Sequence, residues 1–142
     1  MQAQAIADKV RDVMFADDAA SKMLGMEIAE VGPGRAVVTM TVRADMLNGF
    51  AICHGGLIAT LADSAFAFAC NSRNALTVAS GFGIDILKSA RLGDRLTATA
   101  EETSLAGRTG LYDITVKNQN GELIAMFRGR SYRLAERKVF ET

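Results

Sequence analysis

Residues 54–71 read HGGLIATLADSAFAFACN. The run is rich in Ala and Leu and free of Pro, so it predicts one long helix. Its apolar residues fall on every side, which predicts burial all round rather than an amphipathic surface helix. One charge interrupts it. Asp63 lies too deep in the run to be an N-cap. An unpaired carboxylate in an apolar helix costs several kcal/mol, so it must be paired, protonated or set at a cavity. It meets a partner or solvent at a subunit contact, or it is a carboxylate tuned for proton or acyl chemistry.

The glycines that open the run bear on that choice. Gly55 and Gly56 either permit tight packing or leave the first N–H groups of the helix bare for an anion or a polarised carbonyl. A bare helix start combined with a buried acid points to acyl transfer or hydrolysis. Gly55 and Asp63 are eight residues apart, about 12 Å along a helix axis. A side chain leans back only a few ångströms. One carbonyl is therefore hard to place against both groups of one helix. Two antiparallel copies of the helix would each offer Gly55 to the other's Asp63, so the spacing suggests a symmetric dimer with shared sites. A second cavity group in the same chain would remove that need. Asn48-Gly49 is either an ordinary turn or a loop in which the Asn48 amide meets water or a carbonyl oxygen.

Outward from the helix, Ile6, Val10, Val13 and Met14 predict an N-terminal amphipathic helix over residues 4–18, within an N-terminal segment 1–20. MEIAEVGPGRAVVTMTV (26–42) carries two strands about Gly32-Pro33-Gly34. Four more strands follow residue 71, the last two joined at Gln119-Asn120-Gly121. Short connections predict antiparallel pairing. The simplest packing is an α+β fold in which one curved sheet wraps the helix, a single domain over 1–142.

Sixteen basic and sixteen acidic residues cancel, which argues against nucleic acid or an anionic membrane as a partner. No apolar run reaches a membrane span, and MQAQAIADKVRDVMFADD is not a signal peptide. Cys53 and Cys70 form no disulfide framework, so a reducing cytoplasm is the expected location. One histidine and two cysteines make a poor metal-ligand set.

LNGFAICHGGLIATLADSAFAFACNS (47–72), with AVVTMTV (36–42), GDRLTATA (93–100), GLYDI (110–114) and FRGRSYR (127–133), strongly resembles the phenylacetic acid degradation thioesterases of the hotdog superfamily. The similarity runs over nearly the whole chain. It implies a hotdog fold and hydrolysis of phenylacetyl-CoA or its ring-hydroxylated forms to the acid and CoA. It implies a homotetramer built as a dimer of dimers, with CoA as part of the substrate and no separate cofactor. The family's catalytic Asp falls on Asp63, its oxyanion glycine on Gly55, its polar loop residue on Asn48 and its pre-glycine histidine on His54. Asp63 then either attacks the thioester or activates water, and His54 supports the loop or contacts the thioester.

Candidates for the CoA phosphates are Lys88 and Arg91, Arg108 with Thr109, and Arg128 with Arg130; Arg128, Arg130 and Tyr132 share a strand face. Phe66 and Phe68 read as core rather than substrate wall. The rival readings are a hotdog dehydratase using His54, a non-catalytic acyl-CoA-binding module, which has no need of Asp63, and a Cys53 nucleophile.

Overall fold

The computed structural model describes residues 1–142. The elements run α1 (Ala3–Ala16), α2 (Ala19–Met23), β1 (Glu27–Gly32), β2 (Arg35–Thr41), α3 (Gly55–Cys70), β3 (Thr77–Ile86), β4 (Arg95–Ala106), β5 (Thr109–Lys117) and β6 (Leu123–Arg133). All six strands form one antiparallel sheet in the order β1-β2-β4-β5-β6-β3. The chain makes β1 and β2 as a hairpin, threads α3 across the sheet, lays β3 on the far edge and returns to the middle for β4–β6. This is the hotdog arrangement, with α3 as the filling.

Period-two alternation explains which strand face meets α3. Leu96, Ala98 and Ala100 of β4, Tyr112, Ile114 and Val116 of β5, and Ala125 and Phe127 of β6 are buried, and most of their neighbours along the strand face outward. The small residues on β4 let the helix approach. Phe66 stands at the centre of the packing, 5.5 Å from the Tyr112 ring and 6.0 Å from the Phe127 ring, both tilted. Gly129 on β6 lies flat beneath Phe66: a methyl group there would sit 2.7 Å from the ring. The hairpin at Gly121 turns with φ +75°, which glycine adopts without cost.

Two expectations need correction. The N-terminal helix expected over 1–20 is two helices. α1 ends at Ala16 and α2 starts afresh after Asp18, whose carboxylate accepts from the Ser21 N–H at 3.0 Å. Asp17 and Asp18 break the helix because Asp18 serves better as the cap of a new turn than as an interior residue. Nor is α3 buried all round within one chain. Ile58, Leu61, Ala62, Ala65, Phe66, Phe68 and Ala69 are buried, but a stripe through Gly56, Ala59, Thr60, Asp63, Ala67 and Cys70 stays exposed or half-buried. A single sheet can cover only part of a helix.

Gly129→Ala is expected to destabilise the protein by about 1–3 kcal/mol, because the Phe66 ring has no room to retreat. Urea denaturation measures it; an unchanged midpoint would show that the ring can repack.

Candidate active site

The start of α3 is fixed by the connecting segments around it. The Cys53 N–H donates to the Ala90 carbonyl and the His54 N–H to the Met46 carbonyl, both at 2.8 Å. The His54 carbonyl then accepts from Leu57 and Ile58, at 3.0 and 3.4 Å. The Gly55 and Gly56 N–H groups are left with no backbone acceptor, at the positive end of the helix dipole. Ile86, at the end of β3, closes over Gly55; its Cδ1 would lie 2.8 Å from an added Cβ. The His54 side chain is exposed and caps nothing.

Asn48 is largely committed. Its side-chain oxygen accepts from Phe50 N–H at 2.9 Å and Ile52 N–H at 3.3 Å, holding a loop in which Ala51 takes a left-handed φ of 59°. The turn reading therefore accounts for its carbonyl end, and only its NH2 end remains to meet a ligand. Cys53 is buried, with its thiol pushed up by desolvation, which disfavours the thiolate a nucleophile needs.

Asp63 lies on the open stripe of α3, at a cavity of about 370 Å³ lined by Met14, Phe66, Leu76, Val78 and Val139 among others. This is within the ~300–1,000 Å³ of small-molecule sites. No group in the chain hydrogen-bonds the carboxyl. Burial pushes its pKa above the ordinary aspartate value of 3.8, and the negative charge of Asp18 adds to that. Cys70 shares the cavity, with its thiol pushed up to about 12. Phe66 is both core and cavity wall, which the sequence alone did not separate; Phe68 is core only.

The basic candidates divide between the two ends of α3. Lys88 and Arg91 follow β3, close to the helix start, and Lys88 is paired with Glu122 at 2.8 Å. Arg108 and Thr109 sit at the β4–β5 hairpin, towards the helix end. Arg128 is held bidentately by Asp113 at 2.7 and 2.9 Å. A second cavity, about 240 Å³, adjoins the first through Cys70 and Thr77 and is lined by Arg73, Arg108 and Arg133. Arg73 pairs with Glu102 there at 2.6 Å, and Tyr112 also donates to Glu102. The Arg133 Nε is buried without a partner. Arg73 and Arg133 escaped the sequence reading because they are 60 positions apart, and only the pairing of β5 with β6 sets Arg133 beside the hairpin.

The structure thus gathers Asn48, His54 and Gly55 at one end of α3 and leaves Asp63 two turns away, at a cavity that Gly55 does not line. Three or more His, Cys, Asp or Glu side chains converge nowhere in the chain. No helix is long and apolar enough to cross a membrane.

Comparison with known proteins adds a frame to this geometry. The sequence model of the thioesterase superfamily matches residues 50–125. The chain is 50% identical over 121 residues to acyl-coenzyme A thioesterase PaaI of Escherichia coli, which covers 85% of this chain and 86% of that protein. It superposes on the structure of E. coli PaaI, from the phenylacetic acid degradation operon, with a TM-score of 0.94 at 45% identity, covering 96% of this chain and 99% of the other. A Streptococcus mutans protein solved bound to acetyl-CoA aligns with a TM-score of 0.76 at 28% identity, over 80% of this chain and 91% of its own.

The unpartnered Asp63 yields a prediction on stability. A carboxyl whose pKa is raised by folding costs stability when ionised, so the penalty is present above the folded-state pKa and absent below 3.8. Asp63→Asn is therefore expected to raise Tm at pH 7, and the gain should vanish as the pH falls through 3.8. Thermal melts across pH test this; a lowered Tm at pH 7 would mean that the carboxylate has a stabilising partner.

Proposed function

The chain belongs to the thioesterase superfamily, and from that membership we propose that it hydrolyses aryl-acetyl-CoA thioesters, phenylacetyl-CoA and its ring-hydroxylated forms, to the free acid and CoA. The observation that carries this reading is Asp63: a half-buried carboxyl with no partner, at the mouth of an apolar cavity that suits an aromatic ring. A binding module has no use for such a costly group.

The chemistry follows from the two ends of the site. The Gly55 N–H, with the helix dipole behind it, donates to the thioester carbonyl oxygen and stabilises the negative charge that gathers there as the carbonyl is attacked. Asp63 supplies the attack. As a general base it takes a proton from water while the water oxygen bonds to the carbonyl carbon. As a nucleophile it forms an anhydride that water then opens. On either route the carbon–sulfur bond breaks, CoA leaves as the thiolate and is protonated, and the acyl group departs as the acid. The NH2 end of Asn48 and the His54 side chain flank the Gly55 end, where they orient the thioester. Arg108 with Thr109, joined by Arg133, and Lys88 with Arg91 are the groups we assign to the CoA phosphates. We assign no separate cofactor, since CoA enters with the substrate.

Assembly completes the site. β3 is an edge strand that exposes Val78, Phe82 and Ile86, and the open stripe of α3 runs beside it. Natural sheets seldom leave an apolar edge uncovered. A second copy packing β3 on β3 and α3 on α3, antiparallel, covers both and brings each Gly55 towards the other chain's Asp63. A pair of such dimers gives the tetramer. Both cysteines are free, in keeping with a reducing compartment such as the cytoplasm.

The test is a panel of acyl-CoA substrates with three proteins. Wild type is expected to prefer aryl-acetyl over straight-chain acyl groups. Asp63→Asn is expected to lose at least about 100-fold in kcat while still binding CoA. Cys53→Ala is expected to retain activity. Full activity in Asp63→Asn would refute the mechanism, and no hydrolysis of any thioester by wild type would favour the binding module.

A further inference from the structure

One cluster near Asp63 plays no part in the mechanism above. α2 is only five residues long, too short to be a stable helix alone, yet it is docked against α3 by a polar contact. The Ser21 hydroxyl, buried to 1% exposure, donates to Asp18 Oδ2 at 2.6 Å. Its only proton is then committed, so in the Ser21–Ser64 contact of 2.8 Å the Ser64 hydroxyl is the donor. Two hydroxyls in series thus run from α3 to the Asp18 carboxylate, which also accepts from the Ser21 N–H. Ser64 is the residue after Asp63.

We infer that Asp18 is a positioning residue of the active site: a second acidic group, clipped through Ser21 and Ser64 to the turn of α3 that carries Asp63. The inference rests on the assignment of Asp63 as the reacting carboxyl.

The surroundings leave Asp18 as the charge that matters within the chain. Around Asp63, α1 contributes Met14, β3 contributes Thr77, Val78 and Ala79, and the C-terminal segment contributes Val139. None is charged. On α3 itself the other titratable group is Cys70, a thiol that stays protonated. Burial already pushes the Asp63 pKa up, and the like charge of Asp18 adds to that, so Asp18 makes Asp63 hold its proton to higher pH. A more basic carboxylate is the better proton acceptor or nucleophile once ionised. The device therefore exchanges activity at acid pH for a stronger base above it, and it depends on α2 being docked.

Asp18→Asn is the suitable variant because asparagine caps a helix about as well as aspartate, so the charge is removed and α2 is kept. Asp18→Ser, also a good cap, serves as the check. Two readouts are needed: the acid limb of kcat/KM against pH, and the titration of the Asp63 carboxyl followed by 13C NMR, with its resonance identified by its loss in Asp63→Asn. In both variants the Asp63 titration and the acid limb are expected to move to lower pH together, by about half a unit or more, with Tm little changed. If the NMR titration moves and the acid limb does not, the Asp18–Asp63 coupling stands and the assignment of Asp63 as the reacting group falls. An unmoved Asp63 titration in folded variants would overturn the inference.

Discussion

Phe66 holds α3 in the curve of the sheet, wedged against Tyr112 and Phe127 and resting on the bare backbone of Gly129. The contact sets both the depth and the rotation of the helix. With Leu61, Ala62, Ala65 and Ala69 turned to the sheet, the opposite stripe has to face away, and Asp63 lies on it. The same ring forms a wall of the cavity that Asp63 lines. One aromatic side chain therefore joins the core to the site, and a substitution that rotates α3 would displace the carboxyl as well as loosen the packing.

From that placement the electrostatics follow. Asp63 is buried enough to lose water and is given nothing in exchange, so it sits in the chain as a destabilising group. Proteins keep such groups where they are used. The helix start is the complementary case. Its unpaired donors are held still by Cys53 on Ala90 and His54 on Met46, and they need an acceptor that the chain does not provide. Charge on one side and donors on the other are what thioester hydrolysis requires, but one helix keeps them about 12 Å apart.

Much of this was legible in the sequence, because the signals were local. The Pro-free apolar run gave α3 to within a residue at each end, alternation gave the strands, and Gly121 gave the last hairpin. The acid stood out because it was the only charge in the run. What was hidden depends on distant pairing. Arg73 and Arg133 meet at one cavity only because β6 returns beside the β4–β5 hairpin. The docking of α2 rests on a serine–serine contact across 43 positions, which no periodicity marks. The apolar spacing of the N-terminal helix, which ends at Met14, does not mark the break at Asp17-Asp18; that break is decided by the cap that Asp18 offers Ser21. Apolar residues on all sides of α3 do not bring complete burial within one chain, because one chain supplies only one sheet.

The central claim is that the donors at Gly55 and the carboxyl of Asp63 meet between two copies of the chain. Mixing two inactive variants tests it most directly. Gly55→Pro removes the N–H at the first helical position, where proline is tolerated; His54 already has the extended backbone that a following proline requires, and the added Cβ meets only the Cδ1 end of the Ile86 side chain, which must shift aside. Asp63→Asn removes the carboxylate. After subunit exchange, confirmed by native mass spectrometry, half of the dimers are mixed and each has one intact site. About a quarter of wild-type activity should then return. No return of activity in mixtures shown to have exchanged would contradict the shared site and place both groups within one chain.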